Sequence, residues 1–383
     1  MIESSPTTHP VAAIKELPAP PEAALTLRDR FEARLGGLVL RAPARVQLAL
    51  SGKPQVRLDG QKLDPGIQLT LRTLERRGAP TLIVGAPGNN PEPAEARARV
   101  RHQARLLSLV KTEVGDVRDL EIEGADGALR ARHYRPPASG ASENAPLLVF
   151  FHGGGWVTGD LDTHDEPCRM LCRHAQVQVL SVDYRLAPEH PFPAGVRDAL
   201  AAFRWAVAHA SELGADPHRI AVGGDSAGGN LSAASAQLAA RDGGPAPALQ
   251  LLIYPALDLT DARTASGRMF ANDFLLTERD LRWCIGHYLS GTEGDAADPR
   301  ASPMRGESLS GLAPAIVITA GFDPLRDEGE VYAEALQQAG ARVVLERSPE
   351  LIHGFLNMSS IPAPRDATLR LAAMLRASLA LAN

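Results

Sequence analysis

Short apolar runs recur through the later two-thirds of the chain, at 147–151, 177–182, 220–222, 249–253, 315–319 and 343–345. Stretches with helical spacing lie among them, at 194–209, 227–241, 327–339 and 366–381. Strands that alternate with helices predict an α/β fold with a mostly parallel central sheet flanked by helices on both faces. Ahead of these runs, Leu120-Glu121-Ile122 and 129–134 alternate apolar and polar positions as paired strands do, and the loop PPASGASENAP closes that unit.

One interval breaks the rhythm, because Ile253 and Ala315 are 62 positions apart. Residues 262–300 mix helical periodicity with exposed-looking aromatics, including Met269, Phe270, Phe274, Trp283 and Tyr288 in the apolar set. Two readings fit this insertion: a helical hairpin packed on the core, or a cap over a site. The first hundred residues carry no evident catalytic set. Residues 1–22, rich in Pro, Ser and Thr, read as a loose arm, 66–77 and 93–107 as helices, and GAPGNNPEP as the loop between them.

With 383 residues and 44% hydrophobic positions, the chain can fill one large domain with an insertion, or two domains. A net charge of -5 gives no basic footprint for nucleic acid, so the expected partner is a small molecule. The basic residues are nearly all arginine. Cys168, Cys172 and Cys284 read as free core thiols in a reducing cytoplasm, and they come with no metal-ligand spacing. No uninterrupted apolar stretch is long enough for a membrane span, and the N-terminus lacks the basic and apolar regions of a leader.

Chemistry enters at Gly224-Asp225-Ser226-Ala227-Gly228, between an apolar run and a helical stretch. A tight strand-to-helix turn flanked by glycines presents a serine hydroxyl to a base and to backbone amides. Two histidines follow Ser226. His287 lies in the periodic run WCIGHYL and reads as a packing residue, whereas His353 follows the last apolar run in a loop and is the candidate base. Asp323, in Gly321-Phe322-Asp323-Pro324 at a strand end, is the candidate acid; Asp327 and Glu328 are explained by the start of a helix. This gives the chain order Ser, acid, His.

An oxyanion hole needs backbone N–H groups near the nucleophile and in a second loop. His152-Gly153-Gly154-Gly155-Trp156 follows the run at 147–151, and two of its three glycine amides, with that of Ala227, are expected to face the developing charge. Asp183 to Glu189 is expected to brace that loop. Asp225 is expected to accept hydrogen bonds there and not to act as an acid.

Together with Asp183-Tyr184-Arg185-Leu186-Ala187-Pro188-Glu189, Tyr254-Pro255-Ala256, Asp323-Pro324-Leu325-Arg326-Asp327-Glu328 and His353-Gly354-Phe355, these motifs resemble the bacterial hormone-sensitive-lipase-like (family IV) carboxylesterases, in the branch that carries Gly-Asp-Ser-Ala-Gly. The likeness covers about 118–383. It implies an α/β-hydrolase fold, Ser226 as nucleophile, Asp323 as acid and His353 as base, with Gly153, Gly154, Gly155 and Ala227 lining the oxyanion hole. It further implies a helical cap built from the N-terminal region and the insertion near 262–300, so that residues 1–116 form an extension and cap and 117–383 the catalytic domain. Residues 1–60 exceed the family's usual cap and receive no role from it. The expected reaction is hydrolysis of short- to medium-chain acyl esters through an acyl-enzyme, without metal or organic cofactor, and a homodimer is plausible. An amidase or N-deacylase with the same triad, or a non-catalytic receptor on this fold, remain as alternatives.

Overall fold

The computed structural model describes residues 14–18, 36–78, 80–85, 88, 90–108, 111–137, 144–260, 264–291 and 294–381. Nine strands make one sheet in the order β1-β4-β5-β7-β6-β8-β9-β10-β11. They are β1 (Lys15–Leu17), β4 (Asp116–Gly124), β5 (Gly127–Arg135), β6 (Ala145–Phe151), β7 (Gln178–Asp183), β8 (Ala215–Asp225), β9 (Gln250–Ile253), β10 (Ala315–Phe322) and β11 (Val343–Ile352). β2 (Arg57–Leu58) and β3 (Gln61–Lys62) form a separate hairpin. Pairings are antiparallel from β1 to β7, and parallel from β7 to β11, as the alternating pattern predicts.

The apolar runs are continuous because both faces of the parallel strands are covered. Along β6, Leu147, Val149 and Phe151 join a core that includes Val196 and Phe203 of the helix Ala194–Ala208 and Leu231 of the helix Ala227–Arg241. Leu148 and Phe150 point the other way, into a core with Leu171 of the helix Asp165–Ala175 and Leu375 of the helix Pro362–Ala380. Alternate side chains leave opposite faces of a strand, so one apolar run serves two cores.

The expected loose arm is corrected at Lys15–Leu17, which pair antiparallel with Asp119–Glu121 at the edge of the sheet. Apart from 14–18, the arm lies outside the described residues. Asp59, among the residues without a transferred role, and Asp64 just beyond them also pack toward the opposite edge. Asp64 N–H donates to the Glu350 carbonyl at 2.9 Å, and Asp59 pairs with Arg326 at 2.7 Å.

In the insertion, the helices Ala265–Met269 and Glu278–Tyr288 form, and the aromatics turn inward: Phe270, Phe274 and Tyr288 are buried, while Met269 is exposed. Asp280 explains how this region meets the N-terminal segment. Its Oδ2 closes a capping box with Thr277, and its Oδ1 accepts from Ile83 N at 3.0 Å, Val84 N at 2.8 Å and Thr81 Oγ1 at 3.1 Å. No described helix is long and apolar enough to cross a membrane.

Candidate active site

Ser226 stands between the end of β8 and the helix Ala227–Arg241, with φ at 54°. A non-glycine residue there costs on the order of 1–3 kcal/mol unless its surroundings enforce it. Here Ser226 N–H donates to the Ile253 carbonyl at 2.9 Å, and Asn230 N–H donates to the Ser226 carbonyl at 3.0 Å. A Cβ on Gly224 or Gly228 would collide with the Phe151 carbonyl oxygen, so the turn closes against β6 only with glycine on both sides of the serine.

Asp323 and His353 follow the adjacent parallel strands β10 and β11. His353 Nε2 is 2.9 Å from Ser226 Oγ, and His353 Nδ1 is 2.8 Å from Asp323 Oδ2. An ionised carboxylate only accepts, so Nδ1 carries the proton and Nε2 is free to accept from the serine hydroxyl. Asp323 is buried, and its Oδ1 accepts from Leu325 N at 2.8 Å. The Tyr254 ring packs 4.7 Å from the imidazole.

The residues weighed against these two lie elsewhere in the fold. His287 packs edge-on to Trp283 on the insertion helix. Asp327 accepts from Ser266 N at 2.7 Å and pairs with Arg326, which ties the insertion to the helix Arg326–Gln338.

The glycine loop agrees with two free glycine amides and narrows the three-glycine set that the resemblance implies. Gly153 N–H donates to Asp225 Oδ1 at 2.8 Å and is therefore engaged, which removes Gly153 from the set that could face an oxyanion. Among the described residues, the amides of Gly154, Gly155 and Ala227 have no hydrogen-bond partner. The loop is braced by the segment assigned that task. Tyr184 O–H donates to the His152 carbonyl at 2.8 Å and its ring stacks on His152, while Ala187 N–H donates to the Trp156 carbonyl at 2.9 Å. Burial pushes the His152 imidazole down to about 4, which keeps it neutral.

His164 is the residue that sequence reading missed. Its Nε2 lies 3.1 Å from Asp225 Oδ1, next to Ser226, and 61 positions separate the two in the chain, so no local pattern joins them.

A pocket opens onto Ser226, His353, Gly154 and Gly155. Leu82, Ile83, Val100 and Leu107 of the N-terminal region line it on one side, and Leu275, Leu281 and Cys284 of the insertion on another. Its wall is overwhelmingly apolar.

A strained serine at a strand-to-helix turn, linked through an imidazole to a buried carboxylate on parallel strand ends, defines a serine hydrolase of α/β architecture. The chain belongs to the alpha/beta hydrolase fold family, whose model matches residues 148–357, and within it to the hormone-sensitive-lipase-like group that its motifs resemble. A carboxylic ester hydrolase of Mycobacterium tuberculosis, LipN, is 52% identical over 88% of this chain and 89% of its own length. An ethyl acetate hydrolase of Pseudomonas putida is 38% identical over 80% of this chain and 96% of its own. Among solved structures, a hyperthermophilic esterase from the archaeon Pyrobaculum calidifontis superimposes with a TM-score of 0.77 at 39% identity, covering 82% of this chain and 98% of that one.

Proposed function

We propose that Ser226, His353 and Asp323 carry out two-step acyl transfer on short- to medium-chain esters beneath a cap formed by the N-terminal region and the insertion. The chain is a carboxylic ester hydrolase of the α/β-hydrolase family. The observation that carries the assignment of roles is the unbroken hydrogen-bonded series Ser226 Oγ, His353, Asp323, at 2.9 and 2.8 Å.

His353 Nε2 takes the hydroxyl proton as Ser226 Oγ attacks the ester carbonyl carbon. Asp323 holds the ring in the required tautomer and stabilises the imidazolium that forms. The carbonyl oxygen becomes an oxyanion that receives the N–H groups of Gly154, Gly155 and Ala227. His353 returns the proton to the departing alkoxide, and water, deprotonated by the same nitrogen, then attacks the acyl-enzyme and regenerates Ser226.

The apolar wall of Leu82, Ile83, Val100, Leu275 and Leu281 supports an acyl or alcohol arm of modest length, held by burial of its hydrocarbon surface. Three buried free cysteines support a reducing cytoplasm as the place of action. Val344 and Leu345 stand exposed on edge strand β11, which supports the homodimer that the family resemblance suggests; sedimentation would measure it.

The test is hydrolysis of p-nitrophenyl esters of increasing acyl length, with Ser226→Ala as control and a matched anilide as the amide arm. Turnover that peaks at short or medium chains and is absent in Ser226→Ala is expected. Preference for the anilide, or no ester turnover, would overturn the assignment.

A further inference from the structure

We propose that Asp225 and His164 form a second carboxylate–imidazole pair next to Ser226, and that Asp225, as a positioning residue, uses it to hold the oxyanion glycines in register with the nucleophile. The proposal deepens the hydrolase reading and rests on it for its kinetic arm.

Asp225 immediately precedes Ser226 and is 3% exposed. Its Oδ1 accepts from Gly153 N at 2.8 Å and lies 3.1 Å from His164 Nε2; its Oδ2 accepts from Tyr254 O–H at 3.4 Å. A Cβ on Gly153 would collide with the same carboxylate, so the loop meets Asp225 at closest approach. One carboxylate thus fixes the first glycine of the loop whose next two amides are unpartnered, and it does so from the residue beside the nucleophile.

Hydrogen-bond partners on both ring nitrogens fix His164 in place. The Thr163 hydroxyl lies 2.8 Å from the Asp160 carbonyl and 2.9 Å from His164 Nδ1, so it holds the far side of the ring. At the other nitrogen, an ionised Asp225 can only accept, so Nε2 carries the hydrogen that it receives. Asn357 agrees: its Nδ2 is placed 3.0 Å from His164 Nε2 while its Oδ1 is buried without a partner, and exchanging these two atoms, which have the same shape, supplies an acceptor to Nε2–H.

The pair explains why an aspartate beside a nucleophile is useful although it takes no part in proton transfer. Loss of its charge removes what holds His164, and loss of its oxygen releases Gly153; either lets the Gly154 and Gly155 amides drift, and displacement of donors by about 1 Å costs on the order of 100-fold in rate.

The experiment compares Asp225→Asn, Asp225→Ala and the milder Thr163→Val with the unmutated protein in two readouts: kcat and KM on p-nitrophenyl butyrate, and amide hydrogen exchange across residues 152–159. Expected are losses in kcat of roughly 10-fold for Asp225→Asn and 100-fold for Asp225→Ala, with KM within about twofold, and faster exchange in 152–159. Thr163→Val, which leaves Asp225 in place, gives a smaller loss of the same kind. Unchanged kcat in Asp225→Ala, or unchanged exchange in 152–159, overturns the proposal. If the unmutated protein hydrolyses no ester, the hydrolase reading fails on its own, and the exchange readout still decides whether Asp225 holds the loop.

Discussion

The sulfur of Cys284, on the insertion helix, occupies the space that a side chain on Gly155 would need. The glycine loop and the insertion helix are therefore in direct packing contact. Gly155 also holds φ at 61°, where only glycine is relaxed.

Gly155→Ala is accordingly expected to displace its own N–H and the helix together, lowering kcat by roughly 10²–10³, the range for one lost oxyanion donor. Steady-state kinetics on p-nitrophenyl butyrate checks this. The reciprocal change, Cys284→Ala, opens space beside Gly155 and is expected to lower kcat far less.

Asp323→Asn should reduce kcat by about 10⁴, because an amide in place of the carboxylate favours the wrong imidazole tautomer. Ester turnover by Asp323→Asn within tenfold of the unmutated rate would show that Asp323 does not orient His353. A phosphonate that reacts with serine should label the unmutated protein at Ser226 and leave Ser226→Ala unlabelled.

Asp280→Ala removes the acceptor shared by Ile83 N, Val84 N and Thr81 Oγ1 and the N-terminal cap of the insertion helix at once. The buried donors left behind should cost on the order of 3 kcal/mol, read as a lower Tm in calorimetry. Asp280→Asn keeps one acceptor oxygen and should lose less. Because both cavity walls are joined at this residue, KM for hydrophobic esters should rise in both variants.

Glu328 gives a pH dependence. Burial, opposed by the Leu257 N–H and joined by the nearby Asp258 and Asp323, pushes its carboxyl up to about 8 from an ordinary 4.5. The folded protein therefore binds this proton more tightly than the unfolded chain does. The group has no effect on stability below pH 4.5, lowers it by about 1.4 kcal/mol per pH unit up to pH 8, and adds no further loss above. Glu328→Gln should flatten the fall in Tm between pH 5 and 8 and be more stable than the unmutated protein at pH 9. Parallel Tm curves for the two would exclude this titration.

The elements legible in the sequence are those whose burial is uniform. β6, β7 and β10 lie between two helical layers, and their apolar runs announce them. Strands that leave this shelter are read short: β8 begins at Ala215 with the half-exposed Asp216-Pro217-His218-Arg219, and β11 continues through Glu346 to Ile352 beyond the apolar run at 343–345. The one sign of the helix Asp165–Ala175 in the sequence is the four-residue spacing of Cys168 and Cys172, and Pro167 in its first turn obscures the rest.

At the site, Ser226, Asp323 and His353 were legible because each sits at the end of a strand in a fixed chain order. The engagement of Gly153 and the presence of His164 were not. Both depend on where one carboxylate points, and neither periodicity nor motif spacing carries the direction of a side chain.

The short strand β1 has a consequence for how the protein is handled. Its three residues cover β4 at the rim of the sheet, where β4 is nine residues long. A shortened form beginning after Leu17 would leave that rim with its N–H and C=O groups open to any other strand, a ready template for edge-to-edge association. Trimming the N-terminus to tidy the protein for crystallisation would thus exchange a covered border for an adhesive one, and poor solubility in such a form would reflect the missing border strand.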